Sequence, residues 1–352
     1  MSGLRRSGTL RAVLVVLAAV AAFVATAALV RSVVPWPDEG ALAARIEYFR
    51  EHEDEIDLVF VGSSNIARSF DPAVIDAELA KRGFPLRTYN LGADNMQPVE
   101  ADFVLREVLA RRPARLRFAV IELFDFDPRR MMQGNEFSDR AVYWHDGPAL
   151  YSALTRLFQG PGGRREKARL GWLHVQHAAW RAANAGQGER ALAAGIGDPG
   201  PVNTAIARAG GFEAIDDRED EAAARVHRQW LASRASYEAL LEEIDAQNAR
   251  FAPASNSALS ELRAREQRLR ADGVTAIFVI PSMAKETPSL YAVAAAAGAP
   301  PILGFNAPGS YPDVFALENR YDSIHVNRAG SVALSRHFAE RFAELLARQR
   351  SY

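Results

Sequence analysis

The stretch Asp57-Leu-Val-Phe-Val-Gly62, followed by Ser63-Ser64-Asn65, decides the fold. Its centre is a continuous run of β-branched and aromatic residues closed by glycine, which predicts a buried strand. Further helical stretches and apolar runs follow in alternation, at 72–82, 87–91, 98–111 and 117–123. Strand, helix, strand, helix, strand over about 65 residues predicts a parallel sheet with helices on both faces.

The same alternation resumes near the C-terminal end of the chain. Helical patterns and apolar runs alternate there at 258–270, 275–281, 290–297, 302–305 and 329–348. Between the two parts, residues 129–251 contain no predicted strand but hold four of the five tryptophans. We expect a helical insertion or lid above the sheet, because loops at strand ends carry variable function. The predicted fold is a three-layer α/β/α sandwich with a mostly parallel sheet of about five strands.

Composition excludes several classes of function. The chain has 352 residues, a formal net charge of −1 and no cysteine. A near-neutral charge gives no global basic field, so we expect no nucleic-acid partner. The lack of cysteine excludes disulfides, thiolate nucleophiles and thiolate metal sites.

The N-terminal segment predicts a transmembrane helix. Residues 12–30 are apolar and uncharged, with Arg5, Arg6 and Arg11 before them and Arg31 after them. Nineteen helical residues span about 28 Å, close to the hydrocarbon thickness of a bilayer. The basic N-terminal flank predicts a cytoplasmic N-terminus and a folded part outside the cytoplasm.

A cleaved signal peptide is the alternative, since residues 25–27 (Ala-Thr-Ala) have the small-x-small form of a cleavage site. We divide the chain into a tail and anchor (1–36), a polar linker helix (37–56) and a sheet-containing domain (57–352).

Three polar clusters fall at predicted strand ends or just before the last helix. They are 62–65 (GSSN), 90–92 (NLG) and 322–325 (DSIH). The carboxyl edge of an open parallel sheet is where ligands bind. An aspartate three residues ahead of a histidine can orient the imidazole, whose other nitrogen then faces a serine. Taken singly, each cluster has a structural explanation: a serine N-cap, a glycine turn and a capping motif with a surface histidine.

Together the clusters resemble the SGNH hydrolases, also called GDSL-like esterases, which have a flavodoxin-like fold. The resemblance covers about 57–128 and 258–350. It implies a nucleophilic Ser64, a His325 base oriented by Asp322, and oxyanion binding at Gly92 in the Asn90-Leu-Gly block. It implies no metal and no cofactor. Ser63 stands where the family has aspartate.

The chain departs from the family's third block, Gly-x-Asn-Asp, whose asparagine is an oxyanion donor. Here the third strand ends in Ile121-Glu122-Leu123 with no asparagine. Asn65 or Asn95 is a candidate substitute, and backbone N–H groups alone are the alternative. Because losing one oxyanion donor lowers the rate by about 10²–10³, a slow enzyme and a non-catalytic binding module or scaffold both stay open.

This variant is similar to the extracytoplasmic, membrane-anchored proteins that work beside membrane-bound O-acyltransferases. The resemblance implies an acyl ester of a cell-envelope polysaccharide as substrate and a membrane-bound O-acyltransferase as partner. It also implies a single-pass protein of the bacterial inner membrane, with the domain in the periplasm or outside the cell.

Two other pairs of side chains are candidates for a metal site or a catalytic site. His174 and His177 lie one helical turn apart, which suits a metal, but no third ligand is evident and we expect a partly exposed polar face. Asp125 and Asp127 have the form of a glycosidase carboxylate pair. Their alternation indicates instead two side chains on one side of a strand end.

Overall fold

The computed structural model describes residues 2–34, 41–124, 138–160, 162–185, 187–188, 192, 195, 204–217, 221–250, 253–254 and 256–350. The chain forms two compact units. The smaller unit comprises Met1–Pro37 and Pro128–Val202, and the larger comprises Asp38–Asp127 and Asn203–Tyr352.

The larger unit is built on one parallel sheet. Its strands are β1 (Leu58–Val61), β2 (Thr88–Asn90), β3 (Phe118–Glu122), β4 (Thr275–Ile280) and β5 (Ile302–Gly304). Their order across the sheet is β2-β1-β3-β4-β5, and every neighbouring pair is parallel. All five strands agree with the sequence prediction to within two residues at each end.

The helices complete the alternation. They are α1 (Ser2–Val33), α2 (Leu42–His52), α3 (Ser64–Ala67), α4 (Pro72–Lys81), α5 (Pro98–Ala110), α6 (Asp139–Trp144), α7 (Gly147–Gln159), α8 (Arg164–Ala183), α9 (Thr204–Arg208), α10 (Glu221–Leu231), α11 (Arg234–Asn248), α12 (Asn256–Ala271), α13 (Pro288–Ala294) and α14 (Arg328–Arg350).

Helices cover both faces of the sheet, so the predicted three-layer sandwich is confirmed. The connections β1-α4-β2 and β2-α5-β3 cross the sheet in opposite directions, and right-handed crossovers therefore place α4 and α5 on opposite faces. On the α4 face, Leu58 and Phe60 of β1 pack in one core cluster with Phe338 and Phe342 of α14. The rings of Phe60 and Phe338 meet edge to face at 5.0 Å.

Helix α2, in the segment expected to be a polar linker, packs into the larger unit. Leu42, Ile46 and Phe49 are buried, and the ring of Tyr48 stacks on Tyr89 of β2 at a centroid distance of 5.2 Å. The stretch 129–251 that we expected as one insertion is divided between the units. Its described part is helical. Asp125 and Asp127 lie outside the described residues.

The smaller unit contains the apolar N-terminal helix and a helical hairpin. Within α1, Leu10–Val33 is long and apolar enough to cross a membrane, with a mean hydropathy of 2.8. Helices α7 and α8 pack closely at Gly171, where an added Cβ would lie 3.4 Å from Phe158. The last turns of α1 contact the C-terminal end of α8 through Arg31 and Asn184.

Candidate active site

The structure brings Ser64, His325 and Asp322 together at the carboxyl edge of the sheet. Ser64 Oγ lies 2.9 Å from His325 Nε2, and His325 Nδ1 lies 3.0 Å from Asp322 Oδ2. These contacts form one continuous hydrogen-bonded chain from hydroxyl to imidazole to carboxylate. A serine nucleophile, a base and a group that orients the base need this arrangement.

Ser64 begins the short helix α3 directly after β1. Ser63 is the N-cap, and its side chain accepts a hydrogen bond from the N–H of Asn65. Gly62 allows β3 to approach this turn closely: an added Cβ would lie 2.3 Å from Ile66 and 2.6 Å from a carboxylate oxygen of Glu122. The turn is therefore built around a glycine that no larger residue can replace without movement.

Glu122, at the end of β3, accepts hydrogen bonds from the turn that begins α3. Its Oε2 accepts the Ser63 N–H at 2.5 Å. Its Oε1 accepts from Ser63 Oγ at 3.0 Å and from Asn65 Nδ2 at 3.3 Å. Burial raises the pKa of this carboxyl, while the hydrogen bonds and the nearby His325 act in the opposite direction. We did not predict this role, although a lone acid in the apolar run Phe-Ala-Val-Ile-Glu was a signal in the sequence.

The loop that carries His325 is held in a tight turn by Asp322. Asp322 Oδ1 accepts the N–H groups of Ile324 and His325, both at 2.7 Å. Burial by itself would raise the pKa of Asp322, but the hydrogen bonds and charge of His325 and the backbone donors outweigh it and lower the pKa to about 2. Asp322 is therefore ionised at neutral pH and holds a proton on Nδ1 of His325.

Arg320 anchors the base of the same loop. It is fully buried, and its guanidinium donates to the carbonyl oxygens of Asp322, Ser282 and Ser323 at 3.2–3.4 Å. The guanidinium also lies over the ring of Phe315 at 5.3 Å. Burial lowers the pKa of Arg320 to about 10, which leaves it charged at neutral pH. We did not predict the role of this residue, since nothing in the local sequence pattern indicates a buried arginine.

Gly92 and Asn90 form a hydrogen-bonded turn beside α3. The N–H of Gly92 donates to Asn90 Oδ1 at 2.9 Å, and Asn90 Nδ2 donates to the carbonyl oxygens of Ile66 and Phe70, both at 2.9 Å. An added Cβ on Gly92 would lie 2.5 Å from the backbone nitrogen of Ala67. In this arrangement the Gly92 N–H, our predicted oxyanion donor, is already engaged by Asn90.

Asn65 and Asn95, the other predicted polar contacts, have different positions. Asn65 Nδ2 donates to Glu122 and approaches Met283 Sδ at 3.6 Å, while its Oδ1 is buried with no hydrogen-bond partner among the described residues. Asn95 is exposed in a turn with φ 53°. Within the described part of the chain, the N–H of Ser64 donates to no other group. It is thus the best-placed backbone donor for an oxyanion on a substrate attacked by Ser64.

Replacing Glu122 with alanine is expected to destabilise the protein by about 3 kcal/mol or more, because the buried donors of Ser63 and Asn65 lose their acceptor. Glu122→Gln is expected to cost about half as much, since its carbonyl oxygen still accepts the Ser63 N–H. Thermal unfolding of the full chain in detergent micelles measures both. The control is Glu78→Ala, which removes surface ion pairs to Lys81 and Arg82 and should change Tm little. Equal Tm values for Glu122→Ala and Glu78→Ala would contradict this role.

The histidine pair of the smaller unit is buried, so our expectation of a partly exposed face was wrong. His174 and His177 have 1% and 0% exposure, and the Nε2 of His145, the residue directly after α6, lies 2.8 Å from His174 Nδ1. Burial lowers the pKa of His145 to about 2 and that of His174 to about 4, so both are neutral. No group of three or more metal-ligating side chains suited to an ion occurs in the described ranges.

A groove of the larger unit lies away from this site. It has a volume of about 640 Å³ and runs along α5 and α12, where Leu105, Arg106 and Leu269 line it. None of the residues of the Ser64 site lines it, so this groove is separate from the candidate active site.

No family model matches the sequence, and no curated protein is significantly similar to it.

Proposed function

We propose that the chain is an extracytoplasmic serine esterase or O-acyltransferase that acts on an acyl ester of a cell-envelope polysaccharide. The observation that carries the proposal is the hydrogen-bonded chain Ser64–His325–Asp322. The structural roles of a serine N-cap and of a surface histidine do not require the two side chains to be in contact. Here their reactive atoms lie 2.9 Å apart, and the far nitrogen of the imidazole meets an ionised carboxylate.

The reaction proceeds in two acyl-transfer steps. In the first, Ser64 Oγ bonds to the ester carbonyl carbon and its proton passes to His325 Nε2, while Asp322 stabilises the imidazolium. The C–O bond to the leaving alcohol then breaks, and that alcohol takes the proton from Nε2. In the second step, water or a sugar hydroxyl gives a proton to Nε2 and its oxygen bonds to the acyl carbon. The bond between that carbon and Ser64 Oγ then breaks, and Oγ takes the proton back from Nε2.

Stabilisation of the oxyanion falls to the backbone N–H of Ser64, the first residue of α3. This N–H lies at a helix start, where backbone donors favour negative charge. With Gly92 turned towards Asn90, the enzyme has fewer donors than a full oxyanion hole, and we expect turnover to be slow.

The setting of the reaction follows from α1. A single apolar N-terminal helix with arginines on its N-terminal side supports a single-pass anchor with the catalytic unit outside the cytoplasm. The proposed compartment is the periplasmic side of a bacterial inner membrane. A membrane-bound O-acyltransferase is the proposed partner, because an acyl group used outside the cytoplasm has to be delivered across the membrane.

Labelling with a fluorophosphonate probe tests the proposal, because the probe needs an activated serine and ignores substrate identity. We expect the full chain in detergent micelles to be labelled, and Ser64→Ala to lose the label completely. Ser236→Ala is the matched control: Ser236 is exposed on α11, and among the described residues its hydroxyl bonds only to a backbone carbonyl. The absence of labelling in a folded wild-type chain would contradict the proposal that the chain is a serine enzyme.

A non-catalytic polysaccharide-binding or scaffold module is the second candidate. Two observations favour it: the engaged N–H of Gly92 and the lack of an asparagine in Ile121-Glu122-Leu123 at the end of the third strand. Binding of envelope polysaccharide that is equal in wild type and Ser64→Ala, with no probe labelling in either, is the result expected of such a module.

A further inference from the structure

We propose that the outward face of the α7–α8 hairpin lies on the surface of an anionic phospholipid bilayer, beside the point where α1 leaves the membrane. The inference rests on the proposed membrane anchor and goes beyond the proposed chemistry. It assigns the smaller unit a function of its own, which is to hold an amphipathic surface against the membrane.

Both helices of the hairpin expose large aromatic side chains. On α8, Trp172 is 63% exposed and Trp180 is 42% exposed, with Val175 between them; on α7, Tyr151 and Phe158 are more than half exposed. The opposite side of α8 is buried. Soluble surfaces rarely group tryptophan in this way, whereas tryptophan and tyrosine are enriched where proteins meet the membrane interface.

The aromatic face of α8 also carries positive charge. Residues 165, 169, 172, 176 and 180 follow a three-to-four-residue spacing and share one face. Arg165 and Arg169 are exposed at its N-terminal part, ahead of Trp172 and Trp180. A helix with basic residues and tryptophan on one exposed face complements anionic lipid headgroups and the boundary with the acyl chains.

Helix α1 sets the depth of the hairpin. Arg31 Nη1 donates to the carbonyl oxygen of Arg181 at 2.7 Å and to Asn184 Oδ1 at 2.9 Å. Asn184 Nδ2 in turn donates to the carbonyl oxygen of Ala27 at 2.9 Å. The candidate span Leu10–Val33 has 24 residues and is about 36 Å long, whereas the hydrocarbon core is about 30 Å thick. Its last turn, which holds α8, therefore reaches the interface.

Spin labels on single cysteines test the inference, because the chain has no cysteine of its own. The full chain is reconstituted into vesicles of phosphatidylethanolamine with phosphatidylglycerol as the anionic lipid. Labels at Trp172→Cys, Val175→Cys and Trp180→Cys are compared for collision with oxygen, which enters lipid, and with a nickel chelate, which stays in water. Val16→Cys in α1 is the deep reference. Lys81→Cys on α4, with a 67% exposed side chain, is the aqueous reference.

We expect the oxygen-to-nickel collision ratio at 172, 175 and 180 to be several-fold above that at Lys81→Cys and below that at Val16→Cys. Ratios equal to Lys81→Cys would overturn the inference. Low collision with both reagents would also overturn it, because a protein partner or second copy then covers the face. A label at Val16→Cys that is exposed to water would show that α1 does not span the bilayer. That result would also overturn the inference. Fluorophosphonate labelling of Ser64 in the same vesicles tests the proposed enzyme independently. Failure of the membrane inference can therefore be distinguished from failure of the proposed function.

Discussion

Replacing Ser64 or His325 with alanine is expected to lower kcat/KM for an activated ester by a factor on the order of 10⁴ to 10⁶. Ser64 Oγ and His325 Nε2 are hydrogen-bond partners, so we expect neither side chain to support catalysis without the other. The double variant should therefore be no slower than either single variant. Hydrolysis of an aryl ester by the purified full chain measures all three.

The chain offers a matched control for His325. His337 Nε2 lies 2.9 Å from Asp313 Oδ1, in a second histidine–aspartate pair on the surface. We expect His337→Ala to keep wild-type kcat/KM, because no catalytic serine is paired with that imidazole. A His325→Ala protein within tenfold of wild type would show that another group takes the proton of Ser64.

Replacing Asp322 with asparagine is expected to lower kcat by about 10⁴-fold without unfolding the loop. Asp322 Oδ1 accepts two backbone N–H groups, so the amide oxygen of asparagine is held at that position. The amide NH₂ then faces His325 Nδ1, where Asp322 Oδ2 now accepts. The imidazole is forced to carry its proton on Nε2 and cannot accept the proton of Ser64.

Two measurements separate this tautomer effect from simple damage to the loop. Thermal unfolding of Asp322→Asn should stay close to wild type, because both backbone hydrogen bonds are kept. Asp313→Asn, the equivalent change in the surface pair, should leave kcat unchanged. An Asp322→Asn variant that keeps more than a tenth of wild-type kcat would argue that Asp322 does not set the tautomer of His325.

The strands were predictable because β1 to β4 are buried along all or nearly all of their length. In β1 and β4 the apolar run is continuous, and the burial of nearly every residue matches that pattern. The three clusters at the sheet edge could be placed for the same reason, since the carboxyl ends of parallel strands lie together. The pairing of Ser64 with His325 was expected from the resemblance of the three clusters to the SGNH hydrolases, because each cluster taken singly has a structural explanation.

The environment of single polar groups could not be predicted. Whether Asn90 Oδ1 engages the Gly92 N–H depends on the conformation of the Asn90 side chain, which the sequence Asn-Leu-Gly does not give. The burial of His174 involves His145, which lies before α7 and not on the same helix. Glu122 contacts Ser63 and Asn65, and Arg320 contacts Ser282, which lie in other segments of the chain. Charged residues are buried only when such partners are present, and local patterns do not show the partners.

Ser64 and His325 are 261 positions apart in the chain, and this separation makes reactivity a late event in the life of the molecule. Synthesis from the N-terminus produces Ser64 long before α14 and the loop that carries His325. Until then the Ser64 hydroxyl lacks its His325 partner, and we expect it to be no more reactive than that of any other serine. Onset of probe labelling during synthesis would therefore report the completion of the fold.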